Sequence, residues 1–390
     1  MNDTNLFYLF NIFYKYLKEI NIKDDHIIKI KLDDVEFMEL RNIKALYNFI
    51  KEKITDADKY FVLIDEVQKC DNFEEVLNSL LNIENVDTYV TGINSKFLSS
   101  DIITEFRGRS LQIHVMPLSF SEFLPCYEGT KEEAFNEYML HDGMPLTLAF
   151  INANSKEEYI KDLFDLIYKK DVIDRYKIKD LTEFKELVSI IATQVGSLTN
   201  INKISNTFNS VYKNKKMTPY MVDKYLDYLK DSFIIAEVNR YDIKGQKSIC
   251  ATRKYYFQDI GVRNSILNFN DTNYGFKMEN ILYNELIFKG FNVEVGVVEE
   301  VIKENDKSKR KDYEVDFIAT CGSKRYYIQS AYGLYSKDKL NQKSKSLLRI
   351  NDSFKKIIIV NEPIKVRHDE NGITIIGLLE FFTNPYALEQ

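Results

Sequence analysis

The chain has 390 residues, too many for one ordinary hydrophobic core, so two to four domains are expected. Hydrophobic residues make up 45% and charged residues 29%, with only 6 Pro and 14 Gly and no low-complexity tract or repeat, which excludes a fibrous or disordered chain. A net charge of −6 excludes a surface coated in basic side chains for nucleic acid, although local basic patches stay open.

The first segment, "NLFYLFNIFYKYL", is apolar but has no basic leader and no small-residue cleavage site, and it is too short and interrupted to span a bilayer. Leu6, Leu9, Phe10, Phe13, Leu17 and Ile20 recur at helical spacing and predict a buried amphipathic helix, with no membrane association. "HIIKIKL" follows as a strand, "KALYNFIKEKI" as a helix and "YFVLIDE" as a continuous apolar run, the mark of a strand covered on both faces. "FEEVLNSLLNI" reads as a helix, and "DTYVTGINS" and "SLQIHVMPLS" as two more strands. This alternation predicts a doubly wound α/β domain over residues 1–122.

Residues 123–179 turn helical. Residues 180–266 read as a helix-turn-helix followed by a two-stranded wing, and 274–390 as a second α/β domain that opens with the helix "FKMENILYNELIFKG". In the wing segment Lys244, Lys247, Arg253 and Lys254 are better placed for phosphate contacts than the mixed-charge helix "TPYMVDKYLDYLKDSF". The four cysteines, Cys70, Cys126, Cys250 and Cys321, have neither metal-ligand nor redox spacing, and free thiols in a reducing cytoplasm are expected.

Two groups of residues carry candidate chemistry. In open parallel sheets ligands bind at the carboxyl ends of strands, where "FVLIDEVQ" places Asp65 and Glu66. Two acids that merely end a strand and favour the next helix are the commoner explanation of such a pair. Here the pair has company: Asn94 at the end of the next strand, Arg107 and Arg109 in "EFRGR", and a Gly143-Met-Pro145 turn in "HDGMPLTLAF". The second group is Glu279, Glu314, Asp316 and Gln329, with Ala331 two residues beyond the amide.

"FVLIDEVQ", "YVTGINSKFLSSDIITEFRGR", "HVMPLSFSEF" and "GMPL", in this order, resemble the prokaryotic AAA-type, STAND-like P-loop ATPases that carry a C-terminal domain of restriction-endonuclease-like fold. The resemblance covers essentially the whole chain. It implies an α/β multidomain protein: a P-loop-type parallel sheet, a helical lid, a winged helix and a PD-(D/E)XK-like domain. By that carry-over Asp65 and Glu66 are the Walker B acids, with Asp65 holding magnesium. Asn94 is the sensor, Arg107 and Arg109 the γ-phosphate arginines, and Gly143 and Pro145 part of the cofactor-binding turn. Glu279, Glu314, Asp316 and Gln329 match the nuclease acids, and the lysine position is Ala331.

The departure from the family is that no G-x-x-x-x-G-K-S/T occurs anywhere; "KGQKS" is the nearest decoy. Without backbone donors and a lysine for the triphosphate, Mg-ATP, the implied cofactor, is expected to bind weakly and not to be hydrolysed. The sheet is expected to lack its first strand, and a late start site or a decayed 5′ end explains this more economically than an adapted pseudo-ATPase. An amide in place of one acid and no lysine at residue 331 argue against nuclease activity. Three readings follow: an ATP-driven switch in origin, a non-catalytic DNA-binding or regulatory protein acting through the winged helix or C-terminal domain, and a homo-oligomeric interaction scaffold.

Overall fold

The computed structural model describes residues 3–92, 106, 108–212, 216–304, 307–333 and 337–390. The described chain divides into two compact units, Met1–Val115 and Met116–Gln390.

In the first unit α1 (Asp3–Glu19), β1 (Ile27–Lys31), α2 (Ile43–Lys53), β2 (Tyr60–Asp65), α3 (Phe73–Leu80) and β3 (Val86–Val90) follow one another. The strands form a parallel sheet in the order β1-β2-β3, with Ile30 opposite Ile64 and Ile64 opposite Val90. Alternation along the strands decides the two faces. Ile28, Ile30, Val62 and Ile64 pack with Leu46 and Ile50 of α2 and Phe73, Val76 and Leu80 of α3. Ile27 and Leu63 point the other way and pack with Phe10 and Leu17 of α1. Layers on both faces explain why "YFVLID" carries no polar alternation. The run 110–118, expected as a strand, forms none, and Leu111 and Ile113 are exposed. Alternating apolar residues make a strand only with a neighbouring edge to bond, and among the described residues this run has none.

The second unit begins with α4 (Phe120–Phe123), α5 (Lys131–His141) and α6 (Ala153–Ile167). Next come α7 (Leu181–Thr193), α8 (Ile201–Val211), α9 (Pro219–Asp231) and the hairpin β4 (Ile235–Asp242) and β5 (Lys247–Phe257). After α10 (Ile260–Ile266) and α11 (Tyr274–Phe288) the chain forms β6 (Asn292–Glu304), β7 (Lys307–Cys321) and β8 (Lys324–Ala331). It closes with α12 (Lys337–Leu347), β9 (Lys355–Val360), β10 (Arg367–His368), β11 (Thr374–Gly377) and α13 (Leu378–Thr383).

The eight strands form one mixed sheet in the order β10-β11-β9-β8-β7-β6-β4-β5. The hairpin β4–β5, expected as a wing, therefore continues the C-terminal sheet, through parallel pairing of Arg240–Asp242 with Val295–Val297. Met278, Ile281, Leu282 and Leu286 of α11 pack with Phe317, Ile328 and Ile357 in a core that also holds Leu187, Phe208, Leu226 and Tyr256. Leu347, from α12, packs with Val315, Tyr327 and Ile358 in a second core. Among the described residues no helix is long and apolar enough to cross a membrane.

Candidate functional site

In the first unit Asp65 and Glu66 lie where expected, at the carboxyl end of the central strand, and both are buried. Glu66 turns the chain out of the strand with φ 54°, a left-handed conformation uncommon for a residue with a side chain. Thr91, at the end of β3, holds this turn. Its hydroxyl donates to the Asp65 carboxylate and accepts from the Glu66 amide at 3.3 Å, while its carbonyl accepts from Val67 N at 3.1 Å. Gln68 Nε2 donates to Glu66 Oε2. Thr91 escaped the sequence reading, although it stands in the same "YVTGINS" as Asn94. The signal was there: a hydroxyl residue at the tip of the strand beside the acids.

Asn94 and Arg107 lie outside the described residues. Arg109 is exposed, and its amide donates to Phe106 O at 2.9 Å. Gly143 and Pro145 belong to the second unit, where Gly143 has a packing role. Its carbonyl accepts from Leu118 N at 2.8 Å, and a Cβ added to it would lie 2.0 Å from Leu118 O. Two carboxylates and a hydroxyl are the hard oxygen donors that suit magnesium, so the donor set fits that ion. Within residues 1–115 the glycines are Gly92 and Gly108, followed by Ile93 and Arg109 and not by the lysine of a phosphate loop.

The second unit brings together all four residues of the nuclease-like set, through two lysines. Lys254 of β5, 1% exposed, lies with Nζ 2.8 Å from Glu279 Oε1 and 2.6 Å from Glu314 Oε1. Lys343 of α12 lies 2.9 Å from Asp316 Oδ2 and donates to Gln329 Oε1 at 3.1 Å. Gln329 in turn donates to Glu314 O at 2.7 Å and to Ser346 Oγ at 2.6 Å, which fixes its amide orientation. Ser330 N donates to Asp316 Oδ2 and Tyr256 OH to Glu279 Oε1, each at 2.7 Å.

Burial opposes the charge on Lys254, but Glu279, Glu314 and Asp316 outweigh it and lift its pKa above the ordinary lysine value. Burial pushes Glu279 up, with Lys254 acting against it. For Asp316, burial is overcome by Lys343 and then Lys254, and its pKa falls below the usual carboxylate range. Lys343 is raised because Asp316 outweighs the cost of burial.

Two expectations are corrected here. No cation was expected beside these acids, but Lys343, twelve residues beyond Ala331, reaches Asp316 and Gln329 from α12. Lys254, placed among the phosphate-contacting residues of a wing, is buried against Glu279 and Glu314, and Arg253, partly exposed, pairs with Glu237 Oε2 at 2.8 Å. Neither lysine of the cluster was legible beforehand, since strand spacing says nothing about which distant side chains reach the acids.

Residues 8–124 match a family described as an AAA domain. The N-terminal segment is related to the AAA-type ATPases. Residues 132–273 match a domain of unknown function (DUF8612). An uncharacterised protein of Haemophilus influenzae is 28% identical over 372 residues, covering 94% of this chain and 88% of its own. An uncharacterised protein of Methanocaldococcus jannaschii is 29% identical over 398 residues, covering 95% and 83%. Among solved structures, a Vibrio cholerae protein aligns with a TM-score of 0.21 at 11% identity, over 93% of this chain and 96% of its own. The Aeropyrum pernix ORC1 protein, in complex with DNA, aligns at 0.23 and 12%, over 62% and 77%. At these TM-scores neither structure carries an argument about this one.

Proposed function

We propose that the protein is an AAA-type switch in which Asp65 and Glu66 form the metal and water side of a nucleotide site. Asp65 would hold magnesium, which neutralises phosphate charge when bound, and Glu66 would orient the attacking water. Asn94 would sense the γ-phosphate, and Arg107 and Arg109 would neutralise its charge. The observation that carries this reading is the pair of buried acids at the carboxyl end of the central parallel strand, clamped by Thr91.

These 390 residues contain no phosphate loop, so the chain by itself binds Mg-ATP weakly and does not turn it over. Isothermal titration tests this. No saturable heat at micromolar protein is expected, with Asp65→Ala indistinguishable from wild type. Micromolar affinity abolished by Asp65→Ala would overturn the expectation of weak binding while supporting the role given to Asp65, and micromolar affinity that survives Asp65→Ala would overturn that role.

A second reading is favoured by the Lys343–Asp316–Gln329 contacts, which gather a nuclease-like set at one place in the second unit. In it, residues 180–266 act as a winged-helix module and 274–390 as a PD-(D/E)XK-like domain that holds a nucleic-acid backbone without cutting it. Salt-dependent retention on DNA, with no nicking of plasmid in magnesium or manganese, is the expected result. Nicking that disappears in Asp316→Ala would show a working nuclease instead.

A further inference from the structure

The acid cluster of the second unit already contains a cation. Lys254 Nζ, itself buried, stands within 2.6–2.8 Å of one oxygen each of the buried Glu279 and the partly exposed Glu314. A magnesium or manganese ion bridging two carboxylates sits at about 2.1 Å from each oxygen. Such an ion on these oxygens would overlap the space of the ammonium and face its charge beside a buried lysine, where repulsion is screened less than in water.

The three carboxylates also do not converge on one point. Among the described residues, the group of three or more His, Cys, Asp or Glu donors lying within 4.8 Å of one another is His26, Asp56 and Asp58, in the other unit. Glu279, Glu314 and Asp316 do not form one. Tyr256 OH and the Lys254 ammonium already occupy Glu279 Oε1, and Ser330 N and Lys343 occupy Asp316 Oδ2.

We propose that Lys254 is the built-in counter-ion of this cluster and stands in for a divalent metal between Glu279 and Glu314. The consequence is a site in which the protein's own ammonium balances Glu279 and Glu314 while excluding magnesium and manganese. Any ligand it takes is met by the organic cation Lys343, whose side chain is 35% exposed. The same ammonium ties hairpin β4–β5 to α11 and β7, so the segment that reads as a wing forms one wall of the site. The inference rests on the geometry of the second unit and is independent of the nucleotide reading of the first.

The test is a manganese titration of the full chain, followed by the electron paramagnetic resonance signal of free Mn²⁺ and by thermal melting. Wild type and Glu279→Gln are expected to bind the same number of ions, because Glu279 contributes no metal ligand while Lys254 is present. Lys254→Met is expected to bind one additional ion per chain and to melt higher when manganese is added. The double variant Lys254→Met/Glu279→Gln should lose both effects. Loss of a bound ion in Glu279→Gln alone would overturn the proposal, and that comparison does not need the lysine variant to fold. So would a folded Lys254→Met that gains no ion.

Discussion

Asp142 and Ile260 are 118 positions apart, yet the Asp142 carboxylate accepts the backbone amide of Ile260 on one oxygen and that of Gly143, at 2.8 Å, on the other. The carboxylate thereby joins the end of α5 to the start of α10. Burial pushes its pKa up to about 6, with the amides of Ile260 and Gly143 pulling the other way. Asp259, beside it, is raised by burial and by the charge of Asp142.

A raised carboxyl pKa means that the folded protein holds a proton which the unfolded chain releases. The stability from this group is therefore complete below the ordinary carboxylate value and is lost as pH rises towards about 6. The loss corresponds to about 3 kcal/mol. Asp142→Asn does not titrate, so its stability relative to wild type is expected to improve between pH 4 and pH 7 and then level off. Urea unfolding at several pH values checks this, and parallel profiles for the two proteins would refute it.

Gly143→Ala is expected to destabilise the second unit by roughly 3 kcal/mol or more, since the new Cβ would stand 2.0 Å from Leu118 O and backbone has to move. Thermal melting gives the answer. If Gly143 served a cofactor only, with its backbone free to adapt, the melting temperature would barely change.

Lys254→Met in metal-free buffer should cost about 3–5 kcal/mol, because it leaves two carboxylates facing each other without their shared cation. Adding Glu279→Gln should recover part of that loss. Additive rather than compensating costs in chemical denaturation would show that the pair is not coupled.

Thr91→Val removes a hydroxyl that both donates to Asp65 and accepts from Glu66 N, with nearly unchanged shape. About 2 kcal/mol of stability should be lost from the first unit. Hydrogen exchange localises the effect: protection should fall at Glu66 and Val67, while the amides of the second unit keep theirs.

Much of the first unit can be read directly from the chain. Phe10 and Leu17 at helical spacing mark the face of α1 that meets the sheet, and the unbroken run from Tyr60 to Ile64 announces a strand with both faces covered. The acids at 65 and 66 then fall at the ligand end of a parallel sheet by topology alone. Residues 110–118 show the limit of this reading. Their alternation resembles that of a true strand, but alternation records which faces could be buried and not whether an edge is present to bond.

The sequence by itself determined most of the helices and strands, the AAA-type resemblance, the lack of a phosphate loop in these residues, and four polar residues that gather in the C-terminal part. Only the tertiary structure decided that hairpin β4–β5 extends the same sheet as those residues, and that Lys254 and Lys343 lie among them. Local periodicity fixes which way a side chain faces, because burial is imposed residue by residue along one element. Which strand becomes the neighbour, and which ammonium reaches which carboxylate, depends on contacts made across 25 residues in one case and 27 in the other. No repeat length within a single element encodes such contacts.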